Sequence, residues 1–529
     1  MPIHYDAIVV GSGLGGLTAG ALCAREGMRV LVLERHGKFG GCATTFKRNG
    51  MTFEVGLHGL DGLDRADAKR SLFEGLGIFD AIEFTPIQTL YGVRHRILHE
   101  EFVMPVGFDA AVAAACARFP HRQKAIQKYF RFLRNVRDAV YFYGSNSKSS
   151  SWWLRNVFRI PKYLWLLFGN EQKTLSSFLH DLFGDDEAVK IALWANVGYF
   201  SENPATVSTI YSAVGQASYI IGGAYYIKSG SQTLSDYLIS LIRKAGGDAY
   251  THRVVTRILM ENGRAVGVEH GEARPIEERG WKSEGQGAAE QAFAPIVFGN
   301  ASPHALKTML PEEYQELFFT PYKGRPTSIS LWNVYLILDR KPSAFGVTQY
   351  STFLYPSWLR RLNEFSRSSV LMESNPGSDM PGFVFVDYSM IDSGLSIPDR
   401  HYAVLCGVDQ IENWSRLDEQ TYKDRKARWM DALIATIDRA FPGISRSIVY
   451  KEMSTAWTIQ RHIHTPGGAV YGFTQEPEHS GRYRPGAKTA IQGLWLASVF
   501  AKPGGGFTGA MLAGENAFLD ATKDLRRKR

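Results

Sequence analysis

Residues 5–34 read YDAIVVGSGLGGLTAGALCAREGMRVLVLE. Ala7, Ile8, Val9 and Val10 form an unbroken apolar run, the pattern of a parallel strand buried on both faces. Residues 14–25 are compatible with a helix, Gly27 ends it, and residues 28–33 form a second apolar run. Each glycine between these elements has its own use. Gly11 permits a sharp turn, Gly13 lets the backbone approach a pyrophosphate with no side chain between, and Gly16 allows the helix to pack closely on the sheet. The amino end of that helix, with Leu14 and Gly15 in its first turn, has unpaired N–H groups and a positive dipole end that favour an anion. Glu34, closing the second strand, is placed to accept hydrogen bonds from a ribose, and its charge disfavours a 2′-phosphate. GxGxxG spacing alone is weak; strand, turn, helix, second strand and terminal acid in order indicate a dinucleotide-binding unit. These residues do not separate a nicotinamide from a flavin.

The next residues do. In RHGKFGGCATTFKRNGMTFEVGLH, residues 35–58, Gly40 and Gly41 allow close backbone approach, and Thr44 and Thr45 supply hydroxyls. Here the chain resembles the flavin-dependent desaturase and isomerase superfamily, comprising phytoene desaturases, carotenoid isomerases, retinol saturases and their bacterial relatives, within the amine-oxidase-like FAD fold. Glu34, Arg35, Gly40, Gly41, Glu54, Gly56 and His58 carry the resemblance. They supply an acid ending the strand, a basic residue, a GG pair and an acid-x-Gly-x-His stretch. The resemblance implies FAD as cofactor and an α/β fold. It implies a Rossmann-type (GR2-like) FAD-binding domain assembled from residues 1–75, 225–300 and 455–529. A discontinuous α+β substrate-binding and membrane-associating domain, residues 76–224 and 301–454, is inserted. It also places Val255 against the adenine through backbone groups, and Leu57 and Ser498 among the FAD-binding residues.

A second GxGxxG, formed by Gly504, Gly506 and Gly509 in KPGGGFTGAMLAG, comes too near the end to open another strand–helix–strand unit. Residues 493–500 read as a strand and 508–521 as a helix, so the glycines form a loop that aims a helix amino end at something. In the family that target is the pyrimidine edge of the isoalloxazine, where N–H groups and the helix dipole stabilise the negative charge of a reduced flavin around N1 and O2. Gly505, Gly506, Thr508, Ala510 and Met511 are the candidates. Val499 stands where many FAD enzymes have an Asp that binds ribitol; the wider family also tolerates Ala there.

Further along, residues 234–244 read as an amphipathic helix, followed by a strand and hairpin punctuated by Asn262 and Gly263. Residues 295–306 return to the sheet near Val297, and 458–472 with 493–500 close it. His58 and Glu54 are candidates for groups near the flavin, and Tyr471 for the lining of the site; all three residue types are also ordinary structural ones. His462 and His464, at alternate strand positions, share a face without further ligands, so no metal is expected. No GxSxG nucleophile elbow occurs.

The 529 residues are 45% hydrophobic and 21% charged, as in a folded globular protein. The net charge of +8 is partly concentrated in KDLRRKR at 523–529, which suits an anionic membrane surface or nucleic acid. No nucleic-acid-binding motif accompanies it, so no nucleic-acid partner is expected. Cys23, Cys42, Cys116 and Cys406 make no CxxC pair, which favours a reducing compartment. No signal-peptide pattern opens the sequence, so a cytoplasmic protein peripherally associated with a membrane is expected. In SWWLRNVFRIPKYLWLLFGN, residues 151–170, Arg155, Arg159 and Lys162 alternate with Trp152, Trp153, Phe158, Tyr163, Trp165 and Phe168. This pattern suits a segment lying in a membrane interface, with Pro161 bending or interrupting it; packing on another domain would produce the same pattern. Residues 191–227 carry one charge, Glu202, and suit either an apolar tunnel wall or core helices. Gln216 and the Gly222–Gly223 pair argue against a span. The resemblance implies an FAD-dependent oxidoreductase acting on a hydrophobic polyene isoprenoid, a carotenoid or retinoid, by desaturation, saturation or cis-trans isomerisation through hydride exchange at flavin N5. Two other readings share the motifs or the fold: a flavin amine oxidase, and a non-catalytic prenyl-lipid carrier resembling Rab GDP-dissociation inhibitors. The sequence sets no oligomeric state.

Overall fold

The structure, a computed structural model, describes residues 3–144, 155–273 and 289–528. Five parallel strands make the nucleotide-binding sheet: β1 (Ala7–Val10), β2 (Val30–Leu33), β3 (Asp248–Tyr250), β4 (Ile296–Gly299) and β5 (Leu494–Leu496), in spatial order β3-β2-β1-β4-β5. Ala7 lies opposite both Val30 and Ile296, and Val297 opposite Leu494. This is the strand order of a Rossmann sheet. Three helices cover one face: α1 (Leu14–Arg25), α2 (Gln232–Lys244) and α3 (Gly506–Lys528), with α1 packed between the other two.

The pleat sorts the apolar runs into two cores. Ala7, Val9, Val30 and Val32 point into the core beneath the helices, while Ile8, Val10, Leu31 and Leu33 point into a second one. The hairpin Arg253–Glu261 and Arg264–Glu272 helps close that second core through Val255, Ile258 and Val268. Asn262 (φ 49°) and Gly263 (φ 75°) both adopt left-handed φ at its tip, as a two-residue hairpin turn requires.

The remaining chain builds a seven-stranded mixed sheet from Thr89–Arg94, Phe102–Pro105, Ser330–Leu338, Ser351–Leu354, Phe383–Asp387, His401–Asp409 and Ile448–Ser454. Trp332, Val334 and Leu336 alternate with Tyr335 and Ile337. The first set packs on Trp429, Leu433 and Ile437 of the helix Glu419–Ala440, and the second faces the core shared with the nucleotide-binding part. The helices Gln123–Gly144 and Thr209–Gly222 pack on each other beside that shared core.

Several local expectations change. Residues 458–472 do not enter the sheet: Thr455 caps the helix Ala456–Ile463 by accepting from the Thr458 N–H, and a 3₁₀ turn follows. His462 therefore lies in a last helical turn and His464 is its left-handed cap, so the two do not share a strand face. The strand expected over 493–500 shortens to Leu494–Leu496. Pro161 falls in the first turn of the helix Arg159–Phe168, where its missing N–H would have had no intrahelical partner, so it opens the helix rather than interrupting it. Trp152 and Trp153 lie outside the described residues. No helix among the described residues is long and apolar enough to cross a membrane.

Candidate functional site

A cavity of about 1610 Å³ runs from the β1–α1 turn to the helix Arg159–Phe168. Of the residues singled out in the sequence, Gly11, Gly13, Leu14, Gly15, Glu34, Arg35, Gly40, Gly41, Thr44, Thr45, Gly56, Leu57, His58, Val255, Tyr471, Ser498, Gly505, Gly506, Thr508 and Ala510 all line it. Gly16, Glu54 and Met511 do not.

At the dinucleotide end, Gly13 caps α1 with no side-chain hydrogen bond, leaving the first N–H groups of the helix for a ligand. A Cβ on Gly13 would sit 2.5 Å from Asn300 Oδ1, and one on Gly41 would sit 3.3 Å from Gly13 Cα. The backbone is thus packed too closely at both glycines for a side chain, and both present bare backbone to the cavity. Glu34 is held at its edge: Oε2 accepts from the Ser12 N–H at 2.8 Å and Ser12 Oγ at 2.6 Å, and Oε1 accepts from the His36 N–H at 2.8 Å. Ser12 and Asn300 were not identified from the sequence. Ser12 is the unspecified residue between two glycines. Asn300, which donates to the Ala497 carbonyl at 2.5 Å, follows β4 at the carboxyl edge of the sheet, where ligands of this fold bind.

In the middle of the cavity, Gly504, Gly505 and Gly506 have φ of 75°, 80° and 52°, three consecutive left-handed residues that only glycine accommodates without strain. Thr508 Oγ1 donates to Asp61 Oδ1 at 2.5 Å. Asp61 in turn stands 3.7 Å from Lys69 Nζ, and Lys69 is ion-paired at 2.9 Å with Asp67. Lys69 and Asp67 are fully buried; burial raises the Asp67 pKa, Lys69 opposes the rise, and Asp61 adds to it. Thr44 Oγ1 donates to Gln232 Oε1 at 2.5 Å, fastening the glycine-pair segment to α2.

The proposed chemical groups separate in the structure. His58 faces the cavity with Nδ1 3.2 Å from the Tyr199 hydroxyl, and burial pushes its imidazole down to about 4, so it is neutral at pH 7. Burial raises the Tyr471 hydroxyl well above its ordinary range, so it stays protonated. Glu54 is turned away from the cavity. Its carboxylate accepts from the Ser231 N–H and Oγ, both at 2.7 Å, and from the Gly56 N–H, Leu57 N–H and Tyr226 hydroxyl, each at 3.2 Å. Burial raises its pKa, and the bonds from Ser231, Leu57 and Gly56 oppose the rise. This set gives Glu54 the geometry of a loop anchor between residues 45–58 and the start of α2.

Beyond the glycine loop the walls are aromatic and aliphatic, with Tyr199, Phe200, Tyr211, Tyr219 and Phe353 prominent. Leu164, Leu167 and Phe168 form the far end on the helix Arg159–Phe168. Phe158, just before that helix, and Trp165, on it, are 92% and 78% exposed.

A Rossmann cradle opens into a long aromatic cavity, the architecture of an amine-oxidase-like FAD-binding fold. Residues 9–76 match the NAD(P)-binding Rossmann-like domain family. The chain is 25% identical to zebrafish (Danio rerio) all-trans-retinol 13,14-reductase, across 97% of this chain and 86% of that one. It is 24% identical to the chloroplastic prolycopene isomerase 2 of an Oncidium hybrid cultivar, across 96% and 83%. A putrescine oxidase triple mutant shares the fold with a TM-score of 0.61 at 14% identity over 100% of both chains. The chain is similar to members of the FAD-dependent desaturase and isomerase superfamily and is an oxidoreductase.

Proposed function

We propose that the protein is an FAD-dependent oxidoreductase acting on a hydrophobic polyene isoprenoid, a carotenoid or retinoid, by desaturation, saturation or cis-trans isomerisation. The observation that carries this reading is the continuity of one cavity from the dinucleotide cradle to an apolar mouth. Its 1610 Å³ exceeds the roughly 300–1,000 Å³ of a site for one small ligand, leaving room for a cofactor and a long second molecule. The retinol reductase and prolycopene isomerase named above support the substrate class.

The residues present fit FAD: the uncapped amino end of α1 at Gly13, with bare glycine backbone facing the cavity, suits a diphosphate, and Glu34, oriented by Ser12, suits a ribose. Residues 1–75, 225–300 and 455–529 would hold it, and 76–224 with 301–454 would hold substrate and meet the membrane. Bound FAD supplies hydride exchange at N5 with an allylic or vinylic carbon. The protein's part is to bind, orient and exclude water. Tyr199, Tyr219 and Phe353 close the cavity wall, and neutral His58 offers a ring nitrogen beside the Tyr199 hydroxyl for holding or passing a proton. The exposed Phe158 and Trp165, with Arg159 and Lys162, would seat the cavity mouth in an anionic bilayer surface on the cytoplasmic side, where a water-insoluble substrate resides.

The test is to purify the protein, record its visible spectrum, and incubate it anaerobically with reduced flavin and carotenoids, retinoids or polyunsaturated lipids. A product two hydrogens heavier or lighter, or an isomer of unchanged mass, supports the reading. A flavin-free protein, or no conversion of any polyene, contradicts it.

A further inference from the structure

Arg484 is a cation buried to 3% exposure, and among the described residues no carboxylate pairs with it. Its guanidinium donates instead to four backbone carbonyls: Val499 at 2.6 Å, Phe473 at 3.1 Å, Ala501 at 3.2 Å and Thr474 at 3.3 Å. Carbonyl dipoles satisfy the N–H groups but leave the net charge uncancelled, and a buried charge without a counter-charge is costly. Burial draws the pKa down to about 10, with Tyr211 opposing this and Arg325 adding to it, so the group stays charged at pH 7.

The place of this charge gives it meaning. The guanidinium lies directly beneath Gly504, where a Cβ would strike it, and Gly504, Gly505 and Gly506 line the cavity above. The Tyr211 hydroxyl abuts the next residue, Gly505. Asp61, the carboxylate that touches this end of α3 through Thr508, also lines the cavity, with Lys69 Nζ 3.7 Å away, a cation it shares with Asp67. A positive charge thus faces the cavity through a layer of glycine backbone that offers it no screening side chain.

We propose that Arg484 is a positioning residue whose charge, acting through the 499–506 loop, stabilises the negative charge of a reduced flavin at its pyrimidine end and so makes the bound flavin easier to reduce. The inference rests on the FAD reading above. Bound FAD would accept two electrons and one proton from a reductant, in the experiment below a reduced dye and solvent, and Arg484 would offset the one negative charge this leaves on the ring.

The experiment is equilibration of the FAD-loaded protein with redox dyes across pH 6–9, for wild type, Arg484→Lys and Arg484→Gln. Wild type is expected to hold flavin that is easier to reduce than free FAD, with one proton taken up per two electrons. Arg484→Gln is expected to shift the two-electron equilibrium at least tenfold toward the oxidised form, about 30 mV, and to raise proton uptake above that of wild type at pH 6, where reduced flavin free in water keeps its second proton. Arg484→Lys, which keeps the charge but loses the fork, should stay within threefold of wild type. The proposal is overturned if Arg484→Gln matches wild type, or if Arg484→Lys falls as far as Arg484→Gln. If the Gln variant does not fold, wild type alone decides, because flavin no easier to reduce than free FAD contradicts the idea. A wild-type protein that takes up no FAD refutes the cofactor reading instead.

Discussion

The carbonyl oxygen of Gly15 packs directly against Gly514, so the first and last long helices of the chain meet backbone to backbone. A Cβ on Gly514 would collide with that oxygen, and one on Gly15 would collide with the Ala497 carbonyl and lie 3.0 Å from the Ala510 oxygen. This crossing sets the β1–α1 turn and the 504–506 loop on one cavity. Gly514→Val is therefore expected to lose about 1–3 kcal/mol of stability through overpacking. It should also weaken FAD uptake at least tenfold, read by thermal melting and flavin titration.

The Ser12–Glu34 bond makes a graded prediction. Glu34→Ala removes the proposed ribose acceptor and should weaken FAD binding by about 2 kcal/mol, some thirtyfold, as for a lost charge-assisted hydrogen bond. Ser12→Ala leaves the carboxylate with its two backbone donors and should cost about 1 kcal/mol. Isothermal titration of both apoproteins with FAD separates the two values.

His58 gives a pH dependence with a definite sign. Its folded pKa of about 4 lies below the ordinary 6.5, so between those values the unfolded chain binds the extra proton. The associated stability is present above pH 6.5 and is lost as pH falls through 4. Between pH 7.5 and 4.5 this amounts to about 2–3 kcal/mol. His58→Gln should accordingly lose that much less stability on acidification than wild type in denaturant titrations at the two pH values.

Glu54 separates anchoring from chemistry. Glu54→Gln presents an amide to donors that need an acceptor, and the expected loss is about 2 kcal/mol. The folded fraction should retain its flavin spectrum and turnover within about twofold. Intact stability with lost turnover would instead assign the carboxyl a part in the reaction.

The exposed apolar residues near the cavity mouth predict membrane binding. Phe158→Glu with Trp165→Glu should reduce co-sedimentation with anionic phospholipid vesicles at least tenfold while leaving the melting temperature unchanged, since both side chains face solvent.

The nucleotide-binding end was readable because its spacing is local: strand, glycine turn and helix amino end lie within residues 7–34, even though Gly13 and Gly15 pack against Asn300 and Ala497 from distant segments. The loop at 504–506 was readable for the same reason. Arg484 was not, since the carbonyls it holds give no side-chain pattern and the cavity it faces exists only after folding. Asp61 and Lys69 were hidden likewise, because Asp61 meets Thr508 across more than four hundred residues. Residues 458–472 misled for another reason. The alternating histidines at 462 and 464 imitate a strand, whereas the Thr455 and Thr458 capping pair, three residues apart, sets a helix. Glu54 looked chemical because acids near a flavin motif invite that reading, while its partner Ser231 is distant in sequence.

Titration of the purified apoprotein with FAD, followed by flavin absorbance and fluorescence, bears most directly on the joint grip of the two chain ends. One tightly bound FAD per chain, weakened both by Gly13→Val at one end and by Gly506→Val at the other, is the expected result. Absence of saturable uptake, or uptake indifferent to the second substitution, would contradict it.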